Sequence, residues 1–248
     1  MISGMHTRLA CVLAIGGLLS AAGIARAQAA PPDTAPKVVA LPPEIPIFPL
    51  EAALLFPGID RPLHIFEARY RAMVADALKG DRIIGMATLK PGYEADYAGR
   101  PDIYEIGCAG MITEVEELSG GRYNIVLRGI MKFRVASEDQ SRPYRLARVE
   151  AIPEVLDESD KALLHKQRMR LEELITAGGN AKVPPGTSDE DLVNMVAQYL
   201  PLEHGERQAL LELKGALLRA RTLIELIESK KARPRLAAQA PFEIRPRH

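Results

Sequence analysis

The stretch that decides the fold covers residues 45–70 and reads IPIFPLEAALLFPGIDRPLHIFEARY. It begins with short apolar runs broken by proline and glycine, which are typical of strand pieces at a sheet edge, a bulge or a strand end. It ends in a predicted helix over residues 67–78, with Gly80 as its stop. Apolar side chains recur there at i, i+3, i+4 and i+7: Tyr70, Met73, Val74 and Ala77.

The segments that follow predict a small barrel. Residues 82–89 form a buried apolar run, and residues 106–118 and 122–137 are rich in Ile, Val, Tyr and Phe on either side of a Ser-Gly-Gly hairpin turn. Residues 144–152 close the series with alternating apolar positions. About six strands with one inserted helix predict a curled, mostly antiparallel β-barrel over residues 44–153.

After Pro153 the apolar period changes from two residues to about 3.6, which indicates helices. The sequence Thr-Ser-Asp-Glu at residues 187–190 fits an N-terminal capping box. Together the leucine-rich segments predict a helical bundle over residues 154–229, and the fold class is therefore α+β. The predicted helices cover residues 160–177, 187–200, 203–213 and 216–228.

Residues 1–27 have the layout of a secretory signal. Arg8 precedes an uncharged apolar run over residues 9–25, and Ala25-Arg26-Ala27 is a small-x-small cleavage site. The alternative is an uncleaved membrane anchor, although a run of about 17 residues is short for crossing a bilayer. We expect cleavage and export to the periplasm or beyond, with the membrane met only in transit. Residues 28–43 are then a Pro- and Ala-rich tether.

Charge and cysteine content narrow the classes of function. The chain has 32 Lys and Arg against 32 Asp and Glu, so no global field draws it to nucleic acid or anionic membrane. A local basic patch remains in residues 230–248, which we expect to be a flexible tail. With the signal removed, Cys108 is the single cysteine, which precludes an intrachain disulfide, and its apolar neighbours indicate a buried thiol.

The sequence lacks the motifs that catalysis or metal binding would require. It contains no G-x-x-x-x-G-K-[ST], G-x-S-x-G, H-E-x-x-H or C-x-x-C, and no two histidines are three or four residues apart. We therefore expect no catalytic residue, no cofactor and no metal. One alternative is an acid–base site at His64 with Glu67 and Arg69. We favour structural roles there, with Glu67 at a helix start and Arg69 on a neighbouring acceptor.

Three pieces of the deciding stretch occur in a characteristic order. They are Ile47-Phe48-Pro49-Leu50, Leu55-Phe56-Pro57-Gly58 and Pro62-Leu63-His64-Ile65-Phe66-Glu67-Ala68-Arg69-Tyr70. In this order they resemble the opening of the N-terminal, substrate-recognition domain of Lon proteases. Further similarity follows at IGCA from Ile106, YNIVLRGIMKFRV from Tyr123 and ERQALLE from Glu206, so that the resemblance covers about residues 44–228.

The motif residues carried by the resemblance are Phe66, Glu67, Arg69, Tyr70 and Gly129. Ala68 departs from the family's usual proline, which would have fixed φ at the start of the helix. The resemblance implies a PUA-like barrel followed by a helical bundle, a unit that helps full-length proteases capture unfolded substrates. ATP hydrolysis and peptidolysis belong to later domains of those proteases. We expect this chain to be a stand-alone, non-catalytic member without them.

The resemblance implies that the chain recognises an unfolded or extended polypeptide or acts as an adaptor, with a protease or a chaperone as a further partner. We expect binding through apolar grooves and strand addition at an open barrel edge. The candidate binding residues lie in Pro-rich loops: Pro49, Leu50, Leu55, Phe56, Pro57 and Pro62. For Phe56 the alternative is that its ring fills the barrel core. The alternative function is nucleic-acid binding, since PUA-like barrels include RNA binders, but the balanced charge and the expected export argue against it.

Overall fold

The computed structural model describes residues 40–51, 53–93, 99–177 and 182–239. The predicted signal over residues 1–27 lies outside the described residues. The elements in chain order are β1 (Glu44–Leu50), β2 (Asp60–Ile65), α1 (Ala68–Lys79), β3 (Ile83–Thr88), β4 (Ile106–Leu118), β5 (Arg122–Asp139), β6 (Arg145–Ile152), α2 (Glu158–Thr176), α3 (Asp189–Tyr199), α4 (His204–Glu212) and α5 (Gly215–Gln239).

The six strands form one sheet that closes on itself. Their order is β2-β5-β4-β3-β1-β6, and β6 also pairs with β5, so five strands form a closed ring with β2 attached outside it. β1 and β3 pair in parallel, because the chain passes through β2 and α1 between them, and the other pairs are antiparallel. The predicted α+β fold with a mostly antiparallel barrel is confirmed.

The β4–β5 hairpin extends beyond the closed ring. β4 pairs with β3 only as far as the Ile83–Met111 pair, while its pairing with β5 continues to Leu118 and Arg122. The turn between them contains Gly120 and Gly121, whose φ values of 76° and 67° suit a tight hairpin. β2 covers the other side of this part of β5. We call the three-stranded extension, residues 60–65, 112–118 and 122–128, the arm.

The core joins the strands to the helices. One cluster of buried side chains fills the barrel around Ile47 and Phe133. A larger cluster runs from Phe48 and Tyr70 through α3 and α5 to Ile227, so the barrel and the helices share buried surface. Cys108 belongs to this larger cluster, and burial raises the pKa of its thiol to about 12, as expected for an inert thiol.

The helix over residues 67–78 was predicted well, because α1 buries the four predicted apolar side chains. Two segments differ from expectation. Residues 53–58 are a buried loop rather than a strand piece, and the strand begins only at Asp60. α5 continues to Gln239, through the first part of the expected flexible tail, and includes Pro234. The Ala, Leu, Lys, Arg and Gln residues around it favour helix, whereas proline disfavours it.

Candidate functional site

The loop before β2 enters the core instead of the surface. Leu55 and Phe56 are each 0% exposed. The Phe56 N–H donates to Gln198 Oε1 at 3.0 Å, and the Arg219 guanidinium lies 5.3 Å from the centre of the Phe56 ring. The Pro57 carbonyl accepts from Asn194 Nδ2 at 2.9 Å. This corrects the placement of Leu55 and Phe56 on a binding surface, because α3 and α5 provide partners for the loop's backbone and ring.

The remaining predicted binding residues occupy different environments. Pro49 is buried in β1, where it pairs with Ala87 of β3. Leu50 and Pro57 are half-buried, and Pro62 is exposed on β2. Of the predicted set, Pro62 therefore remains a direct candidate for contact with a partner.

Most of the motif residues stabilise the fold. Tyr70 is buried, with its ring centre 4.5 Å from that of Phe48. Arg69 Nε lies 3.1 Å from Glu67 Oε2, and its guanidinium stands 4.7 Å from the centre of the Tyr70 ring. These contacts fix the start of α1 against β1.

Phe66 behaves differently from the other motif residues, because 61% of its surface is exposed. It follows β2 directly, and its ring stacks beside His64 with the ring centres 6.0 Å apart. The exposed Phe66 ring therefore adds apolar surface next to His64 at the end of β2. The sequence assigned Phe66 to a structural motif, whereas the structure places it on the surface directly after β2, next to the arm.

An open groove of about 470 Å³ crosses the arm. Neighbouring side chains from its three strands form a polar ladder across it. His64 Nδ1 and Asn124 Oδ1 are 2.8 Å apart, and Asn124 Nδ2 donates to Glu116 Oε2 at 2.7 Å. Around the ladder lie the groove's other lining residues: Pro62, Leu63, Glu114, Val115, Ile125 and Val126. The groove therefore offers apolar surface together with carboxylate and amide oxygens.

A second cleft, of about 750 Å³, lies where the barrel meets the helices. Lys132 Nζ at its base is 2.6 Å from Glu154 Oε1, and Arg219 Nη2 also donates to that oxygen at 2.6 Å. Lys132 further donates to the carbonyl oxygens of Leu211 and Leu213 at 3.0 Å and 2.6 Å. These groups satisfy one another, so the network joins the barrel to α4 and α5 rather than presenting free charges.

The electrostatics of this network keep Glu154 ionised. Burial by itself raises the pKa of the Glu154 carboxyl, but the charge and hydrogen bond of Arg219, together with those of Lys132, outweigh it and lower that pKa below its ordinary value. Burial lowers the pKa of Lys132, and Glu154 partly offsets that effect. The carboxylate shared by two cations is the centre of the network.

The cluster considered as an acid–base site is separated in the structure. His64 contacts Asn124 of β5, whereas Glu67 pairs with Arg69 at the start of α1. Among the described residues, no group of three His, Cys, Asp or Glu side chains is arranged to hold a metal ion. Within the same described ranges, no helix is both long and apolar enough to span a membrane.

The chain's relatives are Lon proteases. It is 28% identical to Lon protease 2 of Myxococcus xanthus over 200 residues, which is 77% of this chain and 24% of that protein. It is 27% identical to the Lon protease of Anaeromyxobacter dehalogenans over 219 residues, which is 84% of this chain and 26% of that protein. The chain therefore spans about a quarter of the length of these relatives.

Solved structures share the fold. The N-terminal domain of a Mycobacterium avium complex Lon protease superposes with a TM-score of 0.58 at 17% identity, over 75% of this chain and 98% of that one. A Lon N-terminal domain protein from Xanthomonas campestris superposes with a TM-score of 0.53 at 23% identity, over 73% of this chain and 97% of that one. Residues 44–229 match the family described as the ATP-dependent protease La (LON) substrate-binding domain. The chain belongs to this family.

Proposed function

We propose that this protein recognises unfolded or extended polypeptide and binds it across the exposed face of the arm. The family match to a protease substrate-binding domain over residues 44–229 supports polypeptide as the ligand. The exposed ring of Phe66, which stacks beside the groove residue His64, is the observation that supports a contact at the arm. A protease or a chaperone as its working partner is also part of the proposal, supported by the occurrence of this domain in Lon proteases.

The chemistry of the groove suits a non-native chain. Pro62, Val126 and Phe66 present apolar surface on the side of the ladder, which an unfolded segment covers with its own apolar side chains. The ladder of His64, Asn124 and Glu116 presents polar atoms beside that surface. Unfolded segments expose both apolar side chains and unpaired backbone groups, whereas folded proteins bury most of both. The groove therefore favours unfolded over folded partners.

We further propose that binding proceeds without catalysis. The family match is to a substrate-binding domain, and Lys132, Glu154 and Arg219 use their polar atoms on one another, on the Asn194 side chain and on backbone groups. The nucleic-acid alternative is disfavoured on the arm, because Glu114, Glu116 and Glu117 would repel phosphates. Export directed by residues 1–27 also belongs to the proposal, supported by the layout of that segment.

One client in two states tests the proposed function. The purified protein is titrated against a fluorescently labelled secretory protein, either native or reduced and carboxymethylated so that it stays unfolded. We expect the unfolded form to bind in the micromolar range, at about −7 kcal/mol, and the native form to bind much more weakly. Equal affinity for both forms, or no binding of the unfolded form at 100 micromolar protein, a concentration about tenfold above the expected dissociation constant, would contradict the proposal.

A further inference from the structure

The outer edge of the arm ends without a neighbouring strand. The pairing of β3 with β4 stops at the Ile83–Met111 pair, and the Ile112 N–H then donates to the Arg82 carbonyl at 2.8 Å. Beyond that bond, no described strand pairs with the outer side of β4. Residues 113–117 are exposed without interruption, so both faces of the strand reach solvent there.

This edge carries unpaired backbone groups. In an antiparallel pair the N–H and C=O groups of successive residues point alternately toward and away from the partner strand. Since β5 occupies one side of β4, about half of the backbone groups over residues 113–117 point outward. Such a row is a template for an added strand.

The opposite edge of the arm, on β2, is blocked. Pro62 has no N–H to offer. The Asp60 carbonyl accepts from Gln198 Nε2 at 3.1 Å and from the Tyr199 hydroxyl at 2.8 Å, so α3 already covers that end of β2. An added strand therefore fits the β4 edge and not the β2 edge.

The charge of the β4 edge selects its occupant. Glu114, Glu116 and Glu117 are exposed, and none of the ion pairs within the described residues includes them. A second copy of this edge would place glutamates opposite glutamates, which destabilises cross-strand pairing. A strand that carries lysine or arginine would instead form favourable cross-strand pairs.

We propose that the β4 edge over residues 113–118 binds an extended segment of basic polypeptide as an added β-strand. The inference rests on the proposed function and names the class of segment that the arm selects. Val115 and Glu117 share one face of β4, and Glu114 and Glu116 share the other. The preferred segment therefore carries basic side chains on the face of Glu114 and Glu116 and an apolar side chain beside Val115, which an alternating sequence provides.

Synthetic peptides test both the charge and the backbone pairing. The first is a labelled peptide of alternating valine and lysine, the second replaces lysine with glutamate, and the third is the lysine peptide N-methylated at consecutive central residues. N-methylation at consecutive positions removes N–H donors from both edges of the peptide while leaving its charge unchanged. We expect the lysine peptide to bind about tenfold more tightly than either of the others, with an affinity that falls as salt is added.

Charge reversal on the protein provides the matched test. Glu114→Lys with Glu117→Lys should weaken the lysine peptide about tenfold and strengthen the glutamate peptide. Glu225→Lys, an exposed reversal on α5, should leave both affinities unchanged. Thermal unfolding of each variant shows that the fold is retained, and Glu114→Gln with Glu117→Gln replaces the reversal variant if it unfolds.

The outcomes separate this inference from the proposed function. If unfolded clients bind but the three peptides bind equally, the β4 edge is not the site and the proposed function stands. The same conclusion follows if N-methylation has no effect or if the charge variants match the wild type. If the protein binds neither unfolded clients nor the lysine peptide, both proposals fail.

Discussion

The backbone at Gly129 touches the carbonyl group of Phe56. A β-carbon on residue 129 would lie 2.0 Å from the Phe56 carbonyl oxygen, well inside the distance that any real contact reaches. The two segments are held there by two backbone hydrogen bonds of 2.9 Å, from Gly58 N–H to the Gly129 carbonyl and from Gly129 N–H to the Ile59 carbonyl. Gly129 therefore keeps the buried loop against β5.

Substitution at Gly129 should destabilise the protein. Gly129→Ala forces the loop away from β5, and we expect a loss of about 3 kcal/mol in the free energy of unfolding. Gly205→Ala is the control, because a β-carbon there meets no atom within 4 Å. Urea unfolding compares the two variants. An unchanged midpoint for Gly129→Ala would mean that the close approach does not constrain the fold.

The burial of Phe56 gives a second prediction. Phe56→Ala removes a fully buried ring and should cost about 3–5 kcal/mol of stability. Affinity for an unfolded client, corrected for the fraction of protein that is folded, should stay the same because the ring does not reach the surface. Loss of affinity at an unchanged melting temperature would show that Phe56 is a contact residue after all.

The network at Glu154 gives a third prediction. Glu154→Gln removes the carboxylate from between Lys132 and Arg219 and leaves two cations buried without a counter-charge. We expect a loss of about 3–5 kcal/mol. The control Glu225→Gln, on the exposed side of α5, should change stability by less than about 0.5 kcal/mol. Similar losses for the two variants would contradict the role of the network.

The Glu154 carboxylate also makes the stability of the protein depend on pH. The pKa of Glu154 is lower in the folded protein than its ordinary value of 4.5, so the folded state favours the ionised form. This contribution is present in full above pH 4.5, and it is lost as the pH falls through the lower, folded-state pKa. Melting temperatures of wild type and Glu154→Gln should therefore converge as the pH falls below 4.5. A difference between the two melting temperatures that stays constant down to pH 3 would argue against a lowered pKa of Glu154.

Export gives a further prediction. Signal cleavage after Ala27 should leave Gln28, or a residue close to it, as the mature N-terminus. N-terminal sequencing of the protein from its native cell, with separate assay of the periplasmic and cytoplasmic fractions, measures this. Intact Met1 on soluble cytoplasmic protein would overturn the prediction, and intact Met1 in the membrane fraction would favour the anchor.

Local patterns predicted the helices and most strands, because periodicity depends on neighbours in sequence. The four buried side chains of α1 and the hairpin turn at Gly120 and Gly121 follow from such patterns. The burial of residues 53–58 does not follow from local patterns, because their partners Gln198 and Arg219 lie more than a hundred residues away in the sequence. An apolar Pro-Gly run is compatible with a surface loop and with a core loop, and only the tertiary partners decide between them.

The candidate site was only partly predictable for a related reason. Pro62 was identified from composition, but the ladder of His64, Asn124 and Glu116 depends on the register of three strands. A shift of one residue would turn each side chain to the opposite face, and register cannot be obtained from one strand alone. Phe66 was identified by resemblance as a motif residue, and its exposure at the end of β2 became visible only with the fold.

Substitution of Phe66 tests the central claim most directly. Phe66 is largely exposed, so Phe66→Ala should change stability by less than about 0.5 kcal/mol. Leu163→Ala, at an exposed apolar position on α2, is the matched control. Affinity for a reduced and carboxymethylated client is measured by fluorescence anisotropy. We predict about tenfold weaker binding for Phe66→Ala and unchanged binding for Leu163→Ala. Wild-type affinity in a folded Phe66→Ala protein would contradict recognition through the arm.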